Sequence, residues 1–234
     1  MKLPTISINK DILKIIALVT MTIDHIAQYF NFIPHIDILR YIGRTSFPIF
    51  AFLLMEHLCQ KQIFKKYAIR LSCFGVLTLV VLFPYHGITE QSPIYPLNIM
   101  FTFLNAVLAI LAYEWIKKED VTIYLKIFAL IFNFICFSLI SLTTQYSISG
   151  FCYLLMIYFY YKRPSRINYI IVLILSILIN TSHYWWIISF ISTLFLLQIK
   201  ENKVYPRLLK PWWIFYLYYP LHLWLLIYIS CLLK

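Results

Sequence analysis

Nine apolar runs follow one another through this chain with only short polar connectors between them. That succession points to a polytopic membrane helix bundle. The runs are roughly 12–32, 46–60, 67–84, 97–116, 122–142, 147–161, 167–182, 185–199 and 212–233. A spanning helix needs about 20 apolar residues, so the second, sixth, seventh and eighth are short and require shielding by neighbours. The expectation is an all-α fold of about nine transmembrane helices, with residues 1–234 forming one domain. Asn180-Thr181-Ser182-His183 reads either as a polar turn between the seventh and eighth runs or as the bend of one long helix. Composition agrees: 62% of residues are hydrophobic and only 12% charged, where a soluble domain carries about a quarter charged residues. Mean hydropathy is +0.80. No polar stretch, the 84–96 connector included, is long enough to fold alone.

Charge placement supplies an orientation. The net charge of +11 raises nucleic acid as a partner, but the basic residues fall between apolar runs, where they set membrane topology instead. With the N-terminus cytoplasmic, the cytoplasmic side holds Lys2 and Lys10, Lys61, Lys65 and Lys66, and Lys117 and Lys118. Lys162, Arg163 and Arg166, then Lys200, Lys203, Arg207 and Lys210, join them. The opposite side receives Arg40, Arg44 and Lys234, and the C-terminus is expected there. Residues Met1 to Asp11 are polar and no small-residue cleavage site follows the first run, which therefore reads as a signal anchor. The five cysteines lie in or beside apolar runs without paired spacing and read as core or lipid-facing residues. Only 4 glycines are present, so close glycine-mediated helix packing should be limited.

Ionisable residues inside apolar runs are costly, and they mark pathways, relays or reactions. Asp24 and His25 sit side by side in the first run, with Lys14 eleven residues before His25. Eleven residues at about 100° each return nearly to one helix face, with a rise of about 16 Å. Lys14 then lies near the inner surface and His25 about halfway across a core of roughly 30 Å. Asp24 is turned about 100° from His25 and is free to orient a group on another helix. The plainer alternatives are a snorkelling Lys14 and a His25 satisfied by an interior hydrogen bond. In the last run, Pro220 should kink the helix. His222 follows at mid-depth, so the two histidines are expected to share one site or, alternatively, His222 steadies the kink.

Six more positions extend the candidate site. Arg44, before Pro48 and a run that Thr45 or Ser46 could cap, reads as an anion or acceptor contact at a cavity mouth or as an interfacial anchor. Glu56 and His57 stand opposite Arg70 in the next run, either as an ion pair or beside a pocket in which Lys14 and Arg70 bind phosphates. Asn98 and Thr102, one turn apart, either face the cavity together or divide into a helix cap and a core residue. There is no glycine-rich phosphate loop and no G-x-S-x-G element. No His-x-x-x-His or Cys-x-x-Cys set occurs, so no metal is expected.

Taken in order, these residues resemble the TraX family of membrane proteins. The elements are Leu13-Lys14…Ile23-Asp24-His25-Ile26, Gly43-Arg44…Phe47-Pro48-Ile49-Phe50, Tyr67…Arg70-Leu71, Asn98…Phe101-Thr102 and Phe215-Tyr216…Tyr219-Pro220-Leu221-His222. That family is known for acetylating the N-terminus of conjugative pilin, and it looks like a compact relative of larger integral-membrane acyltransferases. Those carry a basic residue, ten intervening residues and a histidine in their first helix; Lys14 and His25 have that spacing. The resemblance implies acetyl-CoA as acyl donor, with a pilin or another envelope molecule as acceptor, in a bacterial inner membrane. A histidine can take the proton from an attacking amine or hydroxyl. The implied roles are His25 as general base and Asp24 or His222 as its orienting partner. Lys14 and Arg70 would hold CoA phosphates, while Arg44, Asn98, Thr102 and Glu56 would line the acceptor side. Two competing readings are a proton-coupled transporter relaying through Asp24, His25 and His222, and a non-enzymatic membrane assembly factor.

Overall fold

A computed structural model describes residues 6–30, 36–86, 97–118, 120–181, 184–201 and 213–233. Lys2, Lys203, Arg207, Lys210, Lys234, the Ser182-His183 half of the polar turn and nearly all of the 84–96 connector lie outside the described residues. The described chain is helical apart from two three-residue strands. Strand β1 (Ile6–Ile8) leads into α1 (Lys10–Tyr29), whose first turn is capped by the Asn9 side chain accepting from the Asp11 N–H. Then come α2 (Ile36–Gly43), α3 (Ser46–Lys61) and α4 (Phe64–Leu82). A single 3-10 turn, Phe83–Tyr85, closes α4. Helices α5 (Ile99–Lys118), α6 (Ile123–Ser141) and α7 (Ser147–Lys162) follow. The chain continues through α8 (Arg166–Leu178), α9 (Trp185–Leu196), β2 (Ile199–Glu201) and α10 (Trp213–Leu232).

The expected nine crossings are not all matched by helices of spanning length. Six stretches are long and apolar enough to cross: 10–29, 36–61, 64–85, 99–118, 123–141 and 213–232. The short second run gains its length from α2, which continues into α3 to give 26 residues. Helices α8 and α9, of 13 and 12 residues, rise only about 20 and 18 Å. They pack against each other as a hairpin, and the turn between them separates two helices rather than bending one. Strand β2, just after this hairpin, pairs in parallel with β1, just before α1. The start of α1 and the end of α9 therefore lie at one end of the bundle.

The core is built where the sequence offered its shortest runs. Helix α7 is buried along one side through Phe151, Tyr153, Leu154 and Ile157, and α3 through Phe47, Phe52, Met55 and Leu58. Helix α7, of 16 residues, is too short to span alone, while α3 reaches spanning length with α2; both are surrounded, α7 by α3, α5, α6 and α8, and α3 by α1, α7 and α9. Helix α6 is the opposite case, with most of its large apolar side chains exposed. Lipid is as apolar as those side chains, so polar bonds must hold it. Asn133 donates from α6 to the Ala109 carbonyl at 3.2 Å, and Asn105 donates from α5 to the Phe137 carbonyl at 2.8 Å.

Helices α1 and α10 run parallel. The Lys14 ammonium lies 5.3 Å from the Phe215 ring centre, the His25 and His222 rings meet, and Ser230 donates to the Tyr29 carbonyl at 3.2 Å. The two histidines consequently lie at one depth.

Candidate functional site

A cavity of about 1740 Å³ runs along α1, from Lys10 and Lys14 past His25 to Arg40 and Arg44. Small-molecule pockets commonly hold about 300–1,000 Å³, so this one has room for two reactants together. Its chemistry differs at its two ends, with the histidine between them.

The histidine pair fixes its own tautomers. Nδ1 of His222 lies 2.8 Å from the Tyr218 carbonyl, which can only accept, so Nδ1 carries the proton. In the neutral ring Nε2 is then an acceptor. It lies 2.7 Å from Nδ1 of His25, which must donate to it. The ring centroids are 5.0 Å apart with planes inclined 28°, a separation that fits rings meeting nitrogen to nitrogen rather than face to face. What remains on His25 is an unprotonated Nε2 with no hydrogen-bond partner among the described residues, on a ring that lines the cavity. His222 is buried behind it and does not reach the cavity wall. The 2.6 Å bond between Thr22 Oγ1 and the Tyr218 hydroxyl also ties α10 to α1 at this level.

Asp24 faces elsewhere. Its Oδ1 lies 3.2 Å from Nη1 of Arg40 and its Oδ2 3.8 Å from Nη1 of Arg44. The first contact is an attraction of charges and not a hydrogen bond: that Nη1 directs its two N–H groups to the Asp24 backbone carbonyl at 3.2 Å and the Gln28 side-chain oxygen at 3.5 Å. Arg40 and Arg44 are four residues apart and so share a helical face. Both lie over the Trp185 ring, at 5.4 and 4.6 Å. Gly43 permits this approach of the α2 end to α1. A Cβ there would lie 2.3 Å from Asp24 Cβ and 2.7 Å from its Cα. The expectation of little glycine-mediated packing thus misses a close contact at the site. Gly43→Ala should cost about 1–3 kcal/mol through overpacking, read as a lower unfolding temperature of the purified protein in detergent.

Tyr146 completes this end. Its hydroxyl oxygen accepts from Nη1 of Arg44 at 3.4 Å, and its ring lies 4.0 Å from that of Phe47, inclined 14°. Its φ of 63° is left-handed, costly for a bulky residue and found where the surroundings enforce it. Thr102 is part of that enforcement, and neither it nor Asn98 lines the cavity. Asn98 caps α5 by accepting from the Met100 N–H at 3.1 Å and donates to the Gly75 carbonyl at 3.1 Å. Thr102 donates to the Gln145 carbonyl at 2.7 Å. The polar groups of both are thus spent on backbone behind the cavity wall, and the bond from Thr102 helps to position the Gln145-Tyr146 segment that does line the cavity.

At the other end, Lys10, Lys14, Lys61, Lys66 and Arg70 line the cavity together with one carboxylate, Asp11. Lys14 pairs with Asp11 at 2.7 Å. Lys14 and Arg70 thus share one basic pocket wall. Glu56 pairs with Lys10 at 3.1 Å, near the start of α1 and off the wall of this cavity, away from the arginine end. Among the described residues no group of three or more His, Cys, Asp or Glu could hold a metal.

Arg40, Asp11, Tyr146 and Trp185 are site residues that sequence reasoning did not assign. Only Arg40 had a readable signal, its four-residue spacing from Arg44. No curated protein and no solved structure matches this chain. The family model described as TraX protein matches residues 9–230, nearly the whole chain, and the chain belongs to the TraX family.

Proposed function

We propose that this protein is an integral-membrane acetyltransferase that moves an acetyl group from acetyl-CoA to an amine or hydroxyl acceptor, with His25 as general base. The observation that carries this reading is the His222–His25 relay, which leaves one unprotonated imidazole nitrogen on the wall of a cavity large enough for donor and acceptor. In the reaction the acceptor attacks the thioester carbonyl and Nε2 of His25 takes its proton. As the tetrahedral intermediate collapses, the C–S bond breaks and the imidazolium returns the proton to the CoA thiolate. His222 accepts from Nδ1 of His25 throughout, and that bond strengthens as the ring becomes charged. His222 is a positioning residue. Asp24 serves by holding the arginine end of the cavity together.

Lys14 and Arg70, with Lys61 and Lys66, supply the charge for CoA phosphates. In this reading that end is cytoplasmic, where acetyl-CoA is made, and the protein sits in a bacterial inner membrane. The arginine end then receives the acceptor, a pilin N-terminus or another envelope molecule. The test is transfer of radiolabel from acetyl-CoA in membranes with and without the protein, together with acetyl-CoA binding by the purified protein. Label on a host component only in protein-containing membranes is the expected result. Absence of both labelling and acetyl-CoA binding overturns the reading.

A further inference from the structure

We infer that the acceptor carries an anionic oxygen group, a carboxylate or phosphate, which docks on the guanidinium pair Arg40–Arg44 beside the reacting atom. This rests on the acetyl-transfer reading for the word acceptor, but the anion site itself stands on geometry. Both arginines line the cavity wall, and Asp24 is the carboxylate paired with them. Two positive charges therefore share one negative charge in a membrane-embedded site, where an uncompensated charge is costly. A guanidinium has five N–H donors. Only Nη1 of each is engaged among the described residues: Arg40 with Asp24 and Gln28, Arg44 with Asp24 and Tyr146. The Nη2 groups of both remain, on planes held over Trp185. A planar donor fork held in this way suits the paired oxygens of a carboxylate or phosphate.

Position assigns this group to the acceptor and not to CoA. Asp24, which anchors both arginines, adjoins His25 and lies ten residues beyond Lys14, a rise of about 15 Å from the basic end. A CoA whose phosphates rest near Lys14 and Arg70 reaches His25 by its thioester, and the arginine pair lies past that point. An acceptor held there by its anion presents its amine or hydroxyl to His25.

The test uses purified full-length protein in detergent and three probes: phenyl phosphate, benzoate and neutral benzyl alcohol. Binding is read as a concentration-dependent rise in unfolding temperature. Phenyl phosphate or benzoate should stabilise saturably and benzyl alcohol should not. Arg40→Met and Arg44→Met should each weaken anion binding at least tenfold, while Lys14→Met should leave it within twofold. Trp185→Leu, which keeps every ion pair, should weaken it severalfold and serves if an arginine variant does not fold. In the wild type, saturating CoA should leave phenyl phosphate affinity unchanged. Equal response to neutral and anionic probes, competition by CoA, or loss in Lys14→Met alone overturns the inference. Absence of acetyl-CoA binding with anion binding intact overturns only the acetyl-transfer reading.

Discussion

His25→Ala should lower acetyl transfer by about 10²–10⁴-fold, the range supplied by a positioned general base, with the protein still accumulating in membranes. The argument is one of bonds. His25 is joined to the rest of the site by one hydrogen bond, to His222, and its removal leaves His222 still bonded to the Tyr218 carbonyl. The fold loses little and the reaction loses its proton acceptor. Acetyl-CoA binding should persist, because Lys14 and Arg70 sit at the far end of the cavity. His222→Ala should give a smaller loss in turnover with the KM for acetyl-CoA unchanged, since it frees His25 to take the wrong tautomer. The double variant should be no slower than His25→Ala, because the two act as one unit. Full activity in His25→Ala membranes removes this residue from the mechanism.

Asp24→Leu should be the most damaging substitution for stability. It leaves Arg40 and Arg44 facing each other over Trp185 without their carboxylate, and breaking a buried pair by removing one partner costs about 3–5 kcal/mol. Gly43 packs directly against the Asp24 backbone, so the arginines have little room to move toward solvent. A large fall in unfolding temperature and in membrane accumulation is the expected result. Asp24→Asn keeps the shape, removes the charge and should fall between. A wild-type unfolding temperature in Asp24→Leu would show that the arginines are satisfied elsewhere.

Periodicity within one helix was legible in the sequence, and reach between helices was not. The spacing from Lys14 to His25 and the mid-depth position of His222 follow from helical rise, and the structure sets these residues along one cavity or in contact. Asp24 offered two possible uses, and only the neighbouring helix α2 decides between them. Asn98 and Thr102 share a face as their spacing requires, yet their polar groups meet backbone from α4 and from the 144–146 segment. Nothing in a single chain's pattern separates a polar residue that lines a cavity from one that fastens the wall behind it. The short runs were misleading for a related reason. A helix shielded by protein does not need spanning length, which is why the short α7 sits in the core while the longer, strongly apolar α6 lies outside.

The proton relay joins residues 197 positions apart in the chain. One partner lies in α1 and the other in α10, so the pair cannot form until α10 has been made. A chain cut short before α10 would insert its earlier helices and offer a basic cavity, but the imidazole in α1 would have nothing to fix its proton. Arrival of α10 is thereby itself the step that fixes which nitrogen of that imidazole is left bare.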